Sequence, residues 1–356
     1  MLRRLLSGDL PRSRVLACVL VVICLGLLLT PFVFPGAKAL NVAAKICTFV
    51  VLVASFDLLL GYTGIISFAH TMFFGIGAYG VAIAITRMGP SWPAVAVGVA
   101  AALVASLLLS LAIGLFSLRV KALYYAMITL AVATAFQTLA SQLSDFTGGE
   151  DGLSFKVPAM LSPGFSLSAR PFLGVSLDGR LVSYYLLLAV SAALFLLMLR
   201  IVNSPFGRVL QAIRENAFRA EALGYRTVLY RTASNVISAG FATLAGALLA
   251  LWLRYNGPDT SLSFEIMINI LLMVVIGGMG TLYGAVLGAT LFIVTENYLQ
   301  DVMKLASHGL AGVPLLRDLV NPDRWLLWLG LLFILSVYRF PFGIVGKLRL
   351  GARRAT

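Results

Sequence analysis

Runs of about 20 apolar residues recur along the chain, and that is the length an α-helix needs to cross the hydrocarbon core of a bilayer. Ala94 to Leu118 and Leu181 to Val202 are two of them. In lipid every backbone N–H and C=O must be satisfied within the protein, so such runs are read as helices. Barrel strands would give shorter segments of alternating polarity. Of the 356 residues, 60% are hydrophobic and only 12% charged, against about 25% charged in a soluble domain. The chain is therefore read as a single all-α polytopic membrane domain over residues 1–356.

About ten transmembrane helices are expected, at 15–30, 40–60, 67–86, 94–118, 122–142, 181–202, 232–253, 263–277, 282–299 and 324–338. Polar, Pro- and Gly-bearing stretches at 144–179 and 301–323 read as external loops, and 203–231 as a long cytoplasmic loop. An even number of spans puts both termini on one side. Segments on that side carry 17 Lys and Arg, against nine on the other. Basic residues collect in cytoplasmic loops, so both termini are placed in the cytoplasm. The formal charge of +13 thus reports topology, and no nucleic-acid partner is expected. Ala37-Lys38-Ala39 resembles a signal-peptide cleavage site, which leaves open whether the first apolar segment is removed. Cys18, Cys24 and Cys47 have neither metal-ligand nor disulfide spacing and read as small buried hydrophobes.

Two Gly-rich breaks interrupt the apolar pattern. Gly61-Tyr62-Thr63-Gly64 ends the second span, and Gly277-Gly278 with Gly280 ends the eighth. Each is an apolar run, a break, then a small-residue helix, which suggests an internal duplication of the kind found in transporters; it can be parallel or inverted. Small residues let membrane helices approach closely. Broken helices can also expose backbone groups to a polar solute. Tyr62, Thr63, Gly64, Ser67, Gly277, Gly278 and Gly280 are accordingly candidates for a translocation pathway.

Ionisable residues inside spans are costly and often functional. Asp57, four residues before Gly61, can either cap the local break or line a cavity. His70 can be a hydrogen-bonded packing histidine or part of the pathway. Lys45 is not an intrahelical partner of Asp57, since twelve residues turn it about 120° around the helix. Glu265 and Glu296 lie near span ends, where interfacial water can solvate them. No set of residues converges on a nucleophile, base or metal, so no catalytic residue, metal or cofactor is assigned. No Walker A sequence is present; Gly343-Ile344-Val345-Gly346-Lys347 is too short and lacks the following Ser or Thr.

The one long polar helical pattern lies between spans six and seven. Asn203-Ser204-Pro205 stops the preceding span. Leu210, Ile213, Ala217, Ala220 and Leu223 then recur at helical spacing, with Glu215 and Arg219 as an i,i+4 pair and Gly224 as a stop. An amphipathic helix of this kind either lies on the bilayer or docks into the groove of a cytoplasmic partner.

Five segments together resemble the M-type inner-membrane permeases of the branched-chain amino acid ABC importers. They are DLLLGYTGIISFAHTMFFGIGAY (57–79), ALYYAMITLA (122–131), TGGEDGL (147–153), SPFGRVLQAIRENAFRAEALGY (204–225) and VVIGGMGTLYGAVLGA (274–289). The resemblance implies a type II importer-like permease fold in the bacterial inner membrane. Its implied partners are a second homologous permease in a heterodimer, two cytoplasmic ATPases that bind the ATP, and a periplasmic solute-binding protein. It further implies that Arg214, Glu215, Asn216, Arg219, Ala220 and Gly224 belong to a coupling helix that receives movement from an ATPase. Many members of the resembled family have Asn where this chain has Asp57, and some relatives importing urea or short amides have Asp there. Branched-chain amino acids are thus the first solute class implied and urea or short amides the second. An ion-coupled secondary transporter using Asp57 is the reading of a different class.

Overall fold

A computed structural model describes residues 13–34, 36–117, 122–166, 178–309, 321–340 and 343–354. The basic residues before Ser13, the 119–121 turn and much of the 301–323 loop lie outside them. Among the described residues, ten helical segments are long and apolar enough to cross a membrane. The fold is an all-α polytopic membrane protein, with two-residue strands β1 (Leu153–Ser154) and β2 (Tyr255–Asn256) paired antiparallel at one end.

The organising element is the second helix, α2 (Ala37–Thr63). Its most apolar window is 94% buried, against 11% for α1 (Arg14–Val33). A helix that is apolar all round belongs inside a bundle, and α2 is enclosed by α1, α6 (Gly179–Asn203), α9 (Thr227–Leu253), α10 (Phe264–Gly277) and α11 (Leu282–Gly309). α3 (His70–Met88) and α4 (Trp92–Ser117) pack on α9 from the other side. α5 (Ala122–Gln142) and α12 (Trp325–Arg339) are peripheral, and their outer surfaces stay apolar and uncovered. Cys47 is buried, whereas Cys18 and Cys24 face outward from α1, where an apolar environment suits a thiol equally well.

Few of the inter-helix contacts rely on charge. Thr63 and Ser234 hydroxyls meet at 2.8 Å, Thr243 donates to Ser106 at 2.6 Å, and Asn235 donates to the Ser110 carbonyl at 2.9 Å. These bonds tie α9 to α2 and α4, the role small polar residues play where no water competes. Glycines set the spacing: a Cβ on Gly77 would fall 1.9 Å from the Thr243 carbonyl oxygen, and one on Gly246 1.8 Å from that of Phe74.

α2 and α11 lie antiparallel and are linked at three levels. Lys38 pairs with Asp301, Lys45 with Glu296 at 2.9 Å, and Asp57 Oδ1 accepts the Gly280 N–H at 2.8 Å. Nineteen residues from Lys38 to Asp57 span about 28 Å of helix, so the outer links sit at opposite ends of the bundle. Both Gly-rich breaks fall at the Asp57 end, and α2 and α10 enter them in the same direction.

Several bounds differ from the pattern. α2 runs through Gly61 to Thr63 and stops only at Gly64, which takes the left-handed conformation (φ 76°). α10 has 14 residues and reaches membrane length only with the preceding turn at Pro258–Ser261. α11 continues to Gly309, past Asp301, into the stretch read as loop. The tail forms a helix, α13 (Gly343–Arg354), whose first residue abuts Gly278 and whose Val345 is buried against Leu16 and Leu287. At the opposite end Arg254, itself left-handed (φ 58°), donates to the Leu161 carbonyl at 3.2 Å. Burial and the neighbouring Arg180 lower its pKa from the ordinary arginine value.

Candidate functional site

Residues from four distant parts of the chain meet where α2 ends. The polar stretch after α6 begins with α7 (Pro205–Glu215), started by Ser204, whose hydroxyl accepts the Gly207 N–H, and by Pro205 in the first turn. Leu210 and Ile213 are buried, which lays α7 against the ends of α2 and α6. That placement carries Arg214 across the terminus of α2, where its Nη1 donates to the Gly61 carbonyl. The last four carbonyls of a helix have no partner within it. Leu59 and Leu60 accept from Ile65 and Gly64, and Arg214 supplies a donor to Gly61. A guanidinium also complements the negative end of the α2 dipole.

The second break closes the same spot. Gly280 has φ 78°, and its N–H points to Asp57 Oδ1. The Thr281 backbone amide and the Arg214 guanidinium are further polar neighbours of that carboxylate, and among the described residues Oδ2 has no hydrogen-bond partner. Asp57 thus does cap a break, but the one 223 residues away in sequence. A carboxylate beside the start of α11 complements the positive end of that helix. Three glycines make the approach possible. A Cβ on Gly61 would fall 2.0 Å from Asp57 Oδ1 and 2.3 Å from the Gly280 nitrogen; one on Gly280 would fall 2.8 Å from Arg214 Nη1; one on Gly64, 3.1 Å from Arg214 Cγ. Gly61 therefore permits contact and does not break its helix.

Asp57, Gly64, Gly280 and Arg214 are thus gathered into one junction, although the sequence divides them between a pathway and a coupling element. Gly278 (φ 115°) stands beside it, touched by Gly343 of α13. Gly277 lies against the Gly284 backbone, fixing α10 on α11. The other pathway candidates are packed inside the subunit. Tyr62 and Ser67 are buried, and Thr63 is bonded to Ser234. His70 Nε2 lies 2.8 Å from Ser55 Oγ, with its ring against Phe56. Ser55 Oγ also donates to the Leu52 carbonyl at 2.7 Å, an arrangement that suits a packing histidine.

The polar stretch is not one helix. Asn216 (φ −159°, ψ 98°) interrupts it, and its side-chain oxygen accepts the Arg219 N–H at 2.9 Å, starting the short helix α8 (Ala217–Ala222). The break separates Glu215 from Arg219, and among the described residues these two form no ion pair. Asn is a favoured helix N-cap, a signal available in the sequence. Ala220 is buried beneath α8, and Gly224 (φ 92°) turns the chain out of it. Phe218 and Leu223 are the most exposed of the large apolar side chains in this stretch, at 82% and 72%. Helical spacing from Leu210 includes Leu223 and misses Phe218, because the register restarts at Asn216.

The exposed pair and the junction lie on consecutive helices. α8, which carries Phe218, follows α7 directly, and α7 places Arg214 on the end of α2, beside the break that precedes α11.

A family described as branched-chain amino acid transport system, permease component, matches residues 38–337. The high-affinity branched-chain amino acid transport system permease protein LivM of Salmonella typhimurium is 26% identical over 332 residues, covering 89% of this chain and 76% of the relative. LivM of Escherichia coli is 27% identical over 297 residues, 80% of this chain and 68% of the relative. The autoinducer 2 import system permease protein LsrC of Salmonella typhimurium is 30% identical over 237 residues, 63% of this chain and 62% of the relative. No solved structure matches.

Proposed function

The chain belongs to the branched-chain amino acid transport system permease family, and on that premise we propose that it is the membrane-spanning subunit of an ATP-driven importer for branched-chain amino acids. It works beside a second homologous permease, two cytoplasmic ATPases and a periplasmic solute-binding protein in a bacterial inner membrane. Its α7–α8 end faces the cytoplasm, with both termini on that side. Residues 203–231 form the coupling loop, and 144–179 and 301–323 face the periplasm.

The observation that supports this reading most directly is the Arg214 bond to the Gly61 carbonyl at the base of the exposed Phe218–Leu223 surface. In an ATP-driven importer whose ATP is bound by separate subunits, the permease receives its energy through contact with them. An outward apolar pair on a short helix fits the groove-docking mode, and its root is applied directly to the buried helix α2. In this mechanism ATP binding in the partner displaces α8. Arg214 carries the displacement to α2, Asp57 carries it to α11, and the two helices tilt together between outward and inward openings. The coupling residues are Arg214, Glu215, Asn216, Arg219, Ala220 and Gly224, and the break residues around Gly64, Gly277, Gly278 and Gly280 are the pivot. Branched-chain amino acids are favoured as solute by two LivM relatives that span most of the chain.

The test is reconstitution of the four kinds of subunit in proteoliposomes with a panel of leucine, isoleucine, valine, urea and acetamide. ATP-dependent, binding-protein-dependent uptake of the three amino acids is expected. Uptake of urea or acetamide alone would replace the solute. Uptake driven by an ion gradient without the ATPases would replace the mechanism.

A further inference from the structure

At the end of the bundle opposite the junction, α2, α9, α10, α11 and the 259–263 turn enclose a cavity of about 680 Å³. That lies within the range of small-molecule sites, about 300 to 1,000 Å³. Its wall carries the Lys45–Glu296 ion pair, with Lys45 Nζ 5.6 Å from the centre of the Phe49 ring. Lys45 lies seven residues inward of Lys38, about 10 Å deeper along α2, so this pair sits below the rim. The side chains are 36% and 21% exposed, so cavity water reaches both. Trp252, Met273 and Phe49 supply an apolar wall, and Asn269 a neutral polar group. At the mouth stand Asp259, Glu265 and Lys38, the last already paired with Asp301.

We propose that this cavity is a binding station for the transported solute and that the Lys45–Glu296 pair selects a zwitterion with an apolar side chain. The inference rests on the permease reading above and names the residues that would read the solute. An ionisable pair between membrane-spanning helices invites a functional explanation, and a partly exposed pair adds little stability of its own. A zwitterion entering between the two side chains places its carboxylate on Lys45 and its ammonium on Glu296. One ion pair becomes two, with no change in net charge. A monovalent ion would leave one side chain unmatched, and the carboxylates at the mouth disfavour anions. A neutral amide has no charge to exchange. The solute's side chain lies on the Phe49–Trp252–Met273 wall. Because Lys45 and Glu296 belong to α2 and α11, occupancy also alters the contact between the two helices that the junction joins at the other end.

The test uses the complete reconstituted transporter with its binding protein and radiolabelled L-leucine. The parent is measured first: if it takes up no leucine, the solute reading above fails before this inference is reached. In a parent that does, Lys45→Met/Glu296→Met removes both charges and keeps the packing volume. Uptake is expected to fall at least tenfold while binding-protein-stimulated ATP hydrolysis stays within twofold. Glu296→Asp, which keeps the charge, is expected to retain at least a third of the uptake. Unchanged uptake in the double variant overturns the proposal. So does a parallel loss of ATP hydrolysis and assembly, since the pair would then be only a brace between α2 and α11.

Discussion

Gly61→Ala is the sharpest test of the junction. One methyl group would fall 2.0 Å from Asp57 Oδ1 and 2.3 Å from the Gly280 nitrogen. The carboxylate can rotate away, but the Gly280 nitrogen is backbone. Relief to van der Waals contact requires α2 and the 278–281 break to separate by roughly 1 Å or more. That separation stretches the 2.8 Å bond from the Gly280 N–H to Asp57 beyond useful length, at a cost of about 1.5 to 3 kcal/mol for a charge-assisted bond. Overpacking adds about 1 to 3 kcal/mol, and the higher helix propensity of Ala returns about 1 kcal/mol. The net expectation is a loss of about 1.5 to 5 kcal/mol, read by unfolding the purified protein in mixed detergent and SDS. Gly26→Ala is the internal control. It lies on the outer face of α1 with nothing within 4 Å, so only the propensity gain applies. Equal stabilities for the two variants would refute the close approach of α2 to the second break.

Three further outcomes follow from the same geometry. Asp57→Asn keeps an oxygen that can accept the Gly280 N–H and should retain uptake, whereas Asp57→Ala leaves that donor unmet; loss of uptake in an assembled Asn variant would show that the charge itself is used. Arg214→Glu places a like charge beside Asp57 and the negative end of α2 and should reduce binding-protein-stimulated ATP hydrolysis at least tenfold, with membrane insertion unchanged. Phe218→Asp with Leu223→Asp should abolish copurification of the ATPases without altering stability, because both side chains are exposed; retained copurification would remove this surface as the docking site.

The number of membrane-crossing helices was legible because hydrophobic length is a local property of sequence. The ends of helices were less so, since a glycine can stop a helix or allow another backbone to approach. Gly64 does the first and Gly61 the second, and only the position of Gly280 distinguishes them. Asp57 shows the same limit. Its sequence neighbours suggest a local cap, yet the N–H it serves is 223 residues away. The polar stretch read as one amphipathic helix because apolar spacing continues across Asn216. The backbone of Asn216 breaks that register, so the buried set became Leu210, Ile213 and Ala220, and Phe218 was turned outward. The Lys45–Glu296 pair was out of reach for a similar reason: Glu296 looked like a solvated span end and Lys45 had no partner in its own helix, until the antiparallel packing of α2 on α11 joined them.

That packing also explains why the junction is built from glycines and backbone atoms. A contact between long side chains can absorb a small displacement by changing rotamers. At this junction Arg214 donates to the Gly61 carbonyl and the Gly280 N–H donates to the Asp57 carboxylate. Gly277 rests on the Gly284 backbone, and Gly288 on that of Met273. The two glycine-on-backbone contacts have no side-chain freedom to take up movement, and closely packed interiors transmit strain. In the proposed mechanism a shift of α7 passes to α2, α10 and α11 as a rigid-body movement. The far ends of the same three helices wall the cavity, where the solute-sized space and the Lys45–Glu296 pair lie. An enlarged side chain at Gly277 or Gly288 should accordingly impair transport more than it impairs ATPase docking, because it alters how the helices move together while leaving Phe218 and Leu223 in place.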